Sequence, residues 1–203
     1  MYKKTCATML ISLLISSVTA QAPRGNGLPM MQNNVINNGI LIKGDRMAPN
    51  FGLDKAAREE SGKLLNILLA DEYLLYTKTY NYHWNVVGLM FNDLHKFFEG
   101  QYEQLEGFVD ATAERVRAVG IRALGTMGEF LKYARLKEDA PGTVPEAKQM
   151  IKNLLDDHET IISSLRIDLD RTAEINDMGT NNFLNDLLMK HEKMAWMLRS
   201  YLQ

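Results

Sequence analysis

From Phe91 to Val119 the chain reads FNDLHKFFEGQYEQLEGFVDATAERVRAV, without proline and with an apolar residue or pair once per turn. The recurring positions are Leu94, Phe97/Phe98, Tyr102, Leu105, Phe108/Val109, Thr112 and Val116, which predict one long amphipathic helix. A second run of helical spacing extends from Lys55 to about Val87 through Leu64, Leu65, Leu68, Leu69, Tyr73, Leu75 and Tyr80. Gly88, between the two, lets the chain turn back. After Gly120 and Gly125, the segment Thr126 to Leu131 predicts a short helix. A loop carrying Pro141, Gly142 and Pro145 then leads to a third long helix, about Pro145 to Thr172. Asp177 to Gly179 are expected to break the chain before a fourth, about Thr180 to Tyr201. Four long helices joined in this way predict an all-α four-helix bundle with a short crossover helix.

The first twenty residues follow a different pattern: Lys3 and Lys4, an apolar stretch from Cys6 to Val18, and small residues at Val18-Thr19-Ala20. This reads as a secretory signal peptide. The apolar stretch falls short of the roughly twenty residues a spanning helix needs, so no permanent membrane anchor is expected. Residues 21–54 are rich in Asn, Gly and Pro without helical period and are expected to form a flexible arm, leaving 55–203 as the folded domain. Cys6, the single cysteine, would leave with the signal, so cysteine usage does not identify the compartment. Loss of Lys3 and Lys4 would lower the basic count from 23 to 21 against 25 acids, moving the net charge from −2 to −4. Such a balance does not favour non-specific DNA binding, and the mature arm offers only Arg24, Lys43 and Arg46.

The chemistry lies in the spacing of five metal-capable side chains: His83, His95, Glu99, Asp110 and Glu114. His95 and Glu99 form an i, i+4 pair, as do Asp110 and Glu114, so each pair can offer two ligands to one metal ion. Eleven steps of about 100° leave Glu99 and Asp110 within about 20° of each other around the helix, on one face. The pair midpoints, however, are about 22 Å apart along the rod, so one chain cannot close the site. A second copy packed antiparallel about a two-fold axis near Glu103 to Leu105 would bring each half against the other and give two sites per dimer. His83, near the end of the preceding helix, can complete each cluster. Two imidazoles and three carboxylates without a thiolate suit iron, manganese or zinc, with iron the first choice.

Tyr82-His83-Trp84-Asn85-Val86, with Leu94-His95, Glu99, Asp110 and Ala113-Glu114-Arg115, resembles the Dps family, the DNA-protection-during-starvation miniferritins, over about Ser61 to Leu202. The resemblance implies a ferritin-like bundle in a homododecameric shell. It implies a di-iron ferroxidase site at the two-fold subunit interface, with His83, His95 and Glu99 from one subunit and Asp110 and Glu114 from the other. It further implies oxidation of Fe(II), preferably by hydrogen peroxide, and storage of ferric mineral inside. Glu99 stands where many members have Asp, one methylene shorter. Ordinary ferritins use Glu-x-x-His motifs within one bundle, and none of the four His here has Glu three residues before it.

Three further expectations concern residues outside that set. Miniferritins generally line a three-fold pore with acids near the start of the last helix; here Met178 and Asn182 replace two of them, leaving Asp177, Glu174 and Asp186 to attract cations. His158 and His191, flanked by charged residues, are expected on polar faces in surface or interface roles. Most methionines outside the arm are expected in core packing. Two readings compete with a ferroxidase: a nucleoid-compacting DNA-binding particle, ranked lower because of the weakly basic arm and the export signal, and a non-catalytic interaction particle.

Overall fold

The computed structural model describes residues 48–203, so the signal and most of the arm lie outside the described residues. Five helices follow in order: α1 Lys55–Asn85, α2 Phe91–Ala118, α3 Met127–Tyr133, α4 Ala147–Glu174 and α5 Met178–Ser200. α1 starts where the Asp54 side chain accepts a hydrogen bond from the Ala57 amide, and the tight turn into α2 places Gly88 at φ 110°, a conformation only glycine adopts freely. Among the described residues no helix is long and apolar enough to cross a membrane.

Side-chain pairs fix how the helices run. His83 meets His95 across the α1–α2 turn, so these two form an antiparallel hairpin. Lys78 binds Asp157 while Glu60 reaches Arg171, so α4 runs antiparallel to α1. Ser61 bonds Asp177 and Glu72 bonds His191, so α5 runs parallel to α1. α2 and α4 therefore run in the same direction, which requires the long crossover from Val119 to Glu146 that contains α3. The core between the hairpins is built from Leu65, Leu68, Leu75, Phe98, Leu105, Leu154, Ile161, Leu165, Leu184 and Leu198, all fully buried.

Polar residues of α1 fasten the crossover. Asn66 donates to the Arg122 carbonyl and accepts from the Leu124 amide. The fully buried Asp71 accepts from the Arg135 and Leu136 amides and from the Arg135 guanidinium. Tyr82 donates to Asp139 and accepts from Asn153, joining the last part of the loop to α1 and α4. α3 itself begins with a capping box formed by Thr126 and Glu129.

Gly62 shows how closely α1 meets the end of α2. A Cβ there would lie 2.5–2.8 Å from three side-chain atoms of Ile121, which is itself buried. Gly62→Ala is expected to cost about 1–3 kcal/mol by overpacking and to lower the melting temperature by several degrees, measured by circular dichroism. An unchanged melting temperature would show that Ile121 yields freely.

Two expectations are corrected. The break before α5 falls at Ile175 to Asp177, because Asn176 takes a left-handed φ of 58° and the Asp177 side chain accepts from the Thr180 amide, so Gly179 is already helical. Methionines are mainly not core residues: Met150 and Met194 are buried, whereas Met90, Met127, Met178, Met189 and Met197 are exposed in the isolated chain.

Candidate metal centre

His83 and His95 are brought together by the α1–α2 hairpin, their rings stacked with centroids 3.8 Å apart. Their hydrogen bonds are reciprocal: His83 Nδ1 lies 2.8 Å from the His95 carbonyl oxygen, and His95 Nδ1 lies 2.9 Å from the His83 carbonyl oxygen. A carbonyl only accepts, so each Nδ1 carries a proton and Nε2 is the nitrogen whose lone pair can serve a metal ion. Fixing the tautomer and ring orientation through the second nitrogen is how metal-binding imidazoles are prepared. His83 is buried and His95 half-buried, with Tyr102 edge-on to His83 at 5.1 Å and Phe91 stacked on His95 at 5.1 Å.

Glu99 is one turn beyond His95 on α2 and half-buried. Asp110 and Glu114 lie three and four turns further along the same helix, exposed to solvent. The single chain therefore gathers His83, His95 and Glu99 at one end of α2 and leaves the two acids at the other. Among the described residues of one chain, no three His, Cys, Asp or Glu side chains converge on a common metal position. Trp84, next to His83, is 64% exposed and stands edge-on to Tyr80.

The C-terminal part of α2 that carries Asp110 and Glu114 is held by Arg115. Its guanidinium donates to Thr180 and to Asp177 at the start of α5. Burial raises the Asp177 pKa, but hydrogen bonds from Thr180 and Ser61, together with Arg115, outweigh it and keep the carboxyl below its ordinary range. Asp177 is thus occupied as a buried cap and is not a solvent-facing pore acid as expected from the sequence. The other two pore candidates are exposed but paired within the chain, Glu174 with Arg171 and Asp186 with Lys190.

His158 and His191 also depart from expectation: both are fully buried, in the middle of the bundle. The signal that places them was present in the sequence. His158 continues the stripe Ile151, Leu154, Ile161, Leu165, and His191 continues Leu184, Leu187, Leu188, Met194, Leu198, whereas Asp156, Glu159 and Lys190 beside them are exposed.

The ferritin-like domain family matches residues 62–203. The chain is 34% identical over 140 residues to the DNA protection during starvation protein 2 of Bacillus anthracis, covering 69% of this chain and 94% of that protein. It is 48% identical over 155 residues to an uncharacterized low temperature-induced protein of Nostoc, covering 76% and 86% of the two chains. Among solved structures it is similar to DpsC of Streptomyces coelicolor, with a TM-score of 0.75 and 29% identity over 80% of this chain and 92% of that one. It is also similar to a Dps protein of Vibrio cholerae, described as a member of the ferritin-like diiron-carboxylate superfamily, with a TM-score of 0.73 and 31% identity over 78% and 99%.

Proposed function

Because the chain belongs to the Dps family of ferritin-like proteins, we propose that it is a ferroxidase and iron-storage miniferritin whose working site forms between two subunits. The observation that carries this reading is the pair of imidazoles with both Nδ1 atoms tied to backbone carbonyls, which leaves two Nε2 lone pairs as donors beside Glu99. In an antiparallel dimer, Asp110 and Glu114 of the partner subunit would supply hard oxygen donors to the same place. Such donors favour ferric over ferrous iron and so help to drive oxidation. Iron is the substrate. Two Fe(II) ions give up one electron each, and one hydrogen peroxide takes both electrons and two protons to leave as two waters, with no hydroxyl radical released. Ferric product would be stored within a homododecamer.

The stacked packing of His83 and His95 lowers the cost of holding both donors in place. Paired Glu174 and Asp186 and the buried Asp177 offer a modest field for cation entry, so uptake into the shell would be slower than oxidation. The N-terminal segment is read as an export signal, to be checked by N-terminal sequencing of protein from fractionated cells: an intact Met1 in the cytoplasm would reject export.

The functional test is anaerobic loading of the assembled protein with Fe(II), followed by peroxide or oxygen, with absorbance reporting ferric product. His83→Ala and Asp110→Ala are expected to slow oxidation to near the rate of iron in buffer while leaving the assembly intact. Faster turnover with peroxide than with oxygen would establish the preferred oxidant. Equal rates in wild type and both variants would reject the assignment.

A further inference from the structure

At the centre of the bundle Glu72 of α1, His191 of α5 and His158 of α4 form an unbroken row. His191 Nε2 lies 2.8 Å from Glu72 Oε1, and His191 Nδ1 lies 2.9 Å from His158 Nδ1. All three side chains are 0% exposed, and at the two ends Glu72 Oε2 and His158 Nε2 are buried without a hydrogen-bond partner. From α2 the Phe108 ring lies 5.4 Å from that of His191, with Lys190 of α5 on the same ring. The donors run in line through His191 rather than around one point, an arrangement for shared protons more than for a metal ion.

We propose that this row is an acid-sensitive latch across the seam between the α1–α2 and α4–α5 hairpins, closed by one proton and loosened by a second. With one proton shared, imidazolium His191 donates to carboxylate Glu72 on one side and to the Nδ1 lone pair of His158 on the other, and the row is neutral overall. A second proton on His158 Nδ1 sets two N–H groups head-on over 2.9 Å and leaves net positive charge in an apolar core. Beside the row in sequence, the buried Asp71 of α1 is paired with Arg135, and Asp157 of α4 with Lys78 of α1, so both carboxylates are already engaged. Burial, and then the neighbouring His191, hold the His158 pKa well below its ordinary value.

The sign follows from linkage. Unfolded chain takes up this proton as the pH falls through about 6.5, while folded chain resists it, so stability is undiminished above that pH and declines below it. Asp168 works in the opposite sense: burial, offset in part by Arg135, raises its pKa to about 6, so its protonation favours the folded form as the pH falls. A comparison of variants at position 158 removes that background.

The test is the melting temperature of the assembled protein between pH 7.5 and 5.0, for wild type, His158→Gln and His158→Leu. Wild type is expected to lose roughly 3–5 °C per pH unit below pH 6 beyond the loss in either variant. Parallel curves would overturn the proposal. Wild type alone provides a second measurement, mass-spectrometric exchange of the histidine C2 hydrogens, in which His158 should show no titration near pH 6.5. A midpoint there would also overturn it. So would stoichiometric Zn(II) retained by a His83→Ala, Asp110→Ala protein and lost on adding His158→Gln, because the row would then be a metal site.

Discussion

Subunits carrying His83→Ala with His95→Ala, and subunits carrying Asp110→Ala with Glu114→Ala, are each expected to be inactive alone and to regain about a quarter of the wild-type oxidation rate when co-expressed in equal amounts. The fraction follows from two-fold symmetry. Half the dimers in a random mixture are mixed, and each mixed dimer has one intact site, made from the histidines of one subunit and the acids of the other, and one site with every ligand removed but Glu99. The structure supplies the reason for expecting this. His83 and His95 are locked together at one end of α2, while Asp110 and Glu114 are exposed on the same rigid helix, with no hinge between them. Rates from the co-expressed mixture, with native mass spectrometry to count mixed species, would decide the matter. Mixed dimers no faster than either parent would place the oxidation site within one subunit.

Asp71→Ala should be the most damaging single change to the fold. Its carboxylate is fully buried and binds the amides of Arg135 and Leu136 at 2.6 and 3.1 Å and the Arg135 guanidinium at 2.6 Å. Removing it leaves two amides without an acceptor and a cation, 23% exposed, without its closest carboxylate. Asp168 lies 3.9 Å from the same guanidinium and can recover only part of the loss. Breaking such a pair costs about 3–5 kcal/mol, equivalent to roughly 10 °C in melting temperature for a chain of this size. Asp71→Asn keeps the Oδ1 that accepts from both amides, loses only the partner of the guanidinium, and should lose about half as much. Calorimetry of the three proteins would test the order, and a melting temperature for Asp71→Ala within 2 °C or so of wild type would contradict it.

Much of the bundle could be read from the sequence because α2, α4 and α5 each bury one stripe, whereas α1 buries most of its circumference, from Leu68 to Glu72 without a break. α2 is the clearest case: its buried Leu94, Phe98, Leu105, Phe108, Thr112 and Val116 are all positions marked by periodicity alone. The placement of the five candidate side chains along the helices was legible for the same reason, since an α-helix converts sequence distance directly into angle and rise. What was not legible depended on partners far along the chain. The family resemblance puts Asp177 among the pore acids, yet Ser61 and Arg115, from two other helices, claim its oxygens. The charges beside His158 and His191 suggest polar faces, although the two imidazoles continue apolar stripes and meet each other inside the bundle. Exposed methionines were misplaced because a residue that packs anywhere carries little positional information.

All five candidate ligands come from α1 and α2, and none from α4 or α5. On the proposed reading the second hairpin has no part in the chemistry beyond supporting the first. In the proposed shell, exchanges along its outer faces would alter particle charge, cation entry and the storage surface without touching the oxidation step. One half of the molecule would then be constrained by reactivity and the other by containment, so the two could be redesigned, or could diverge, on separate schedules.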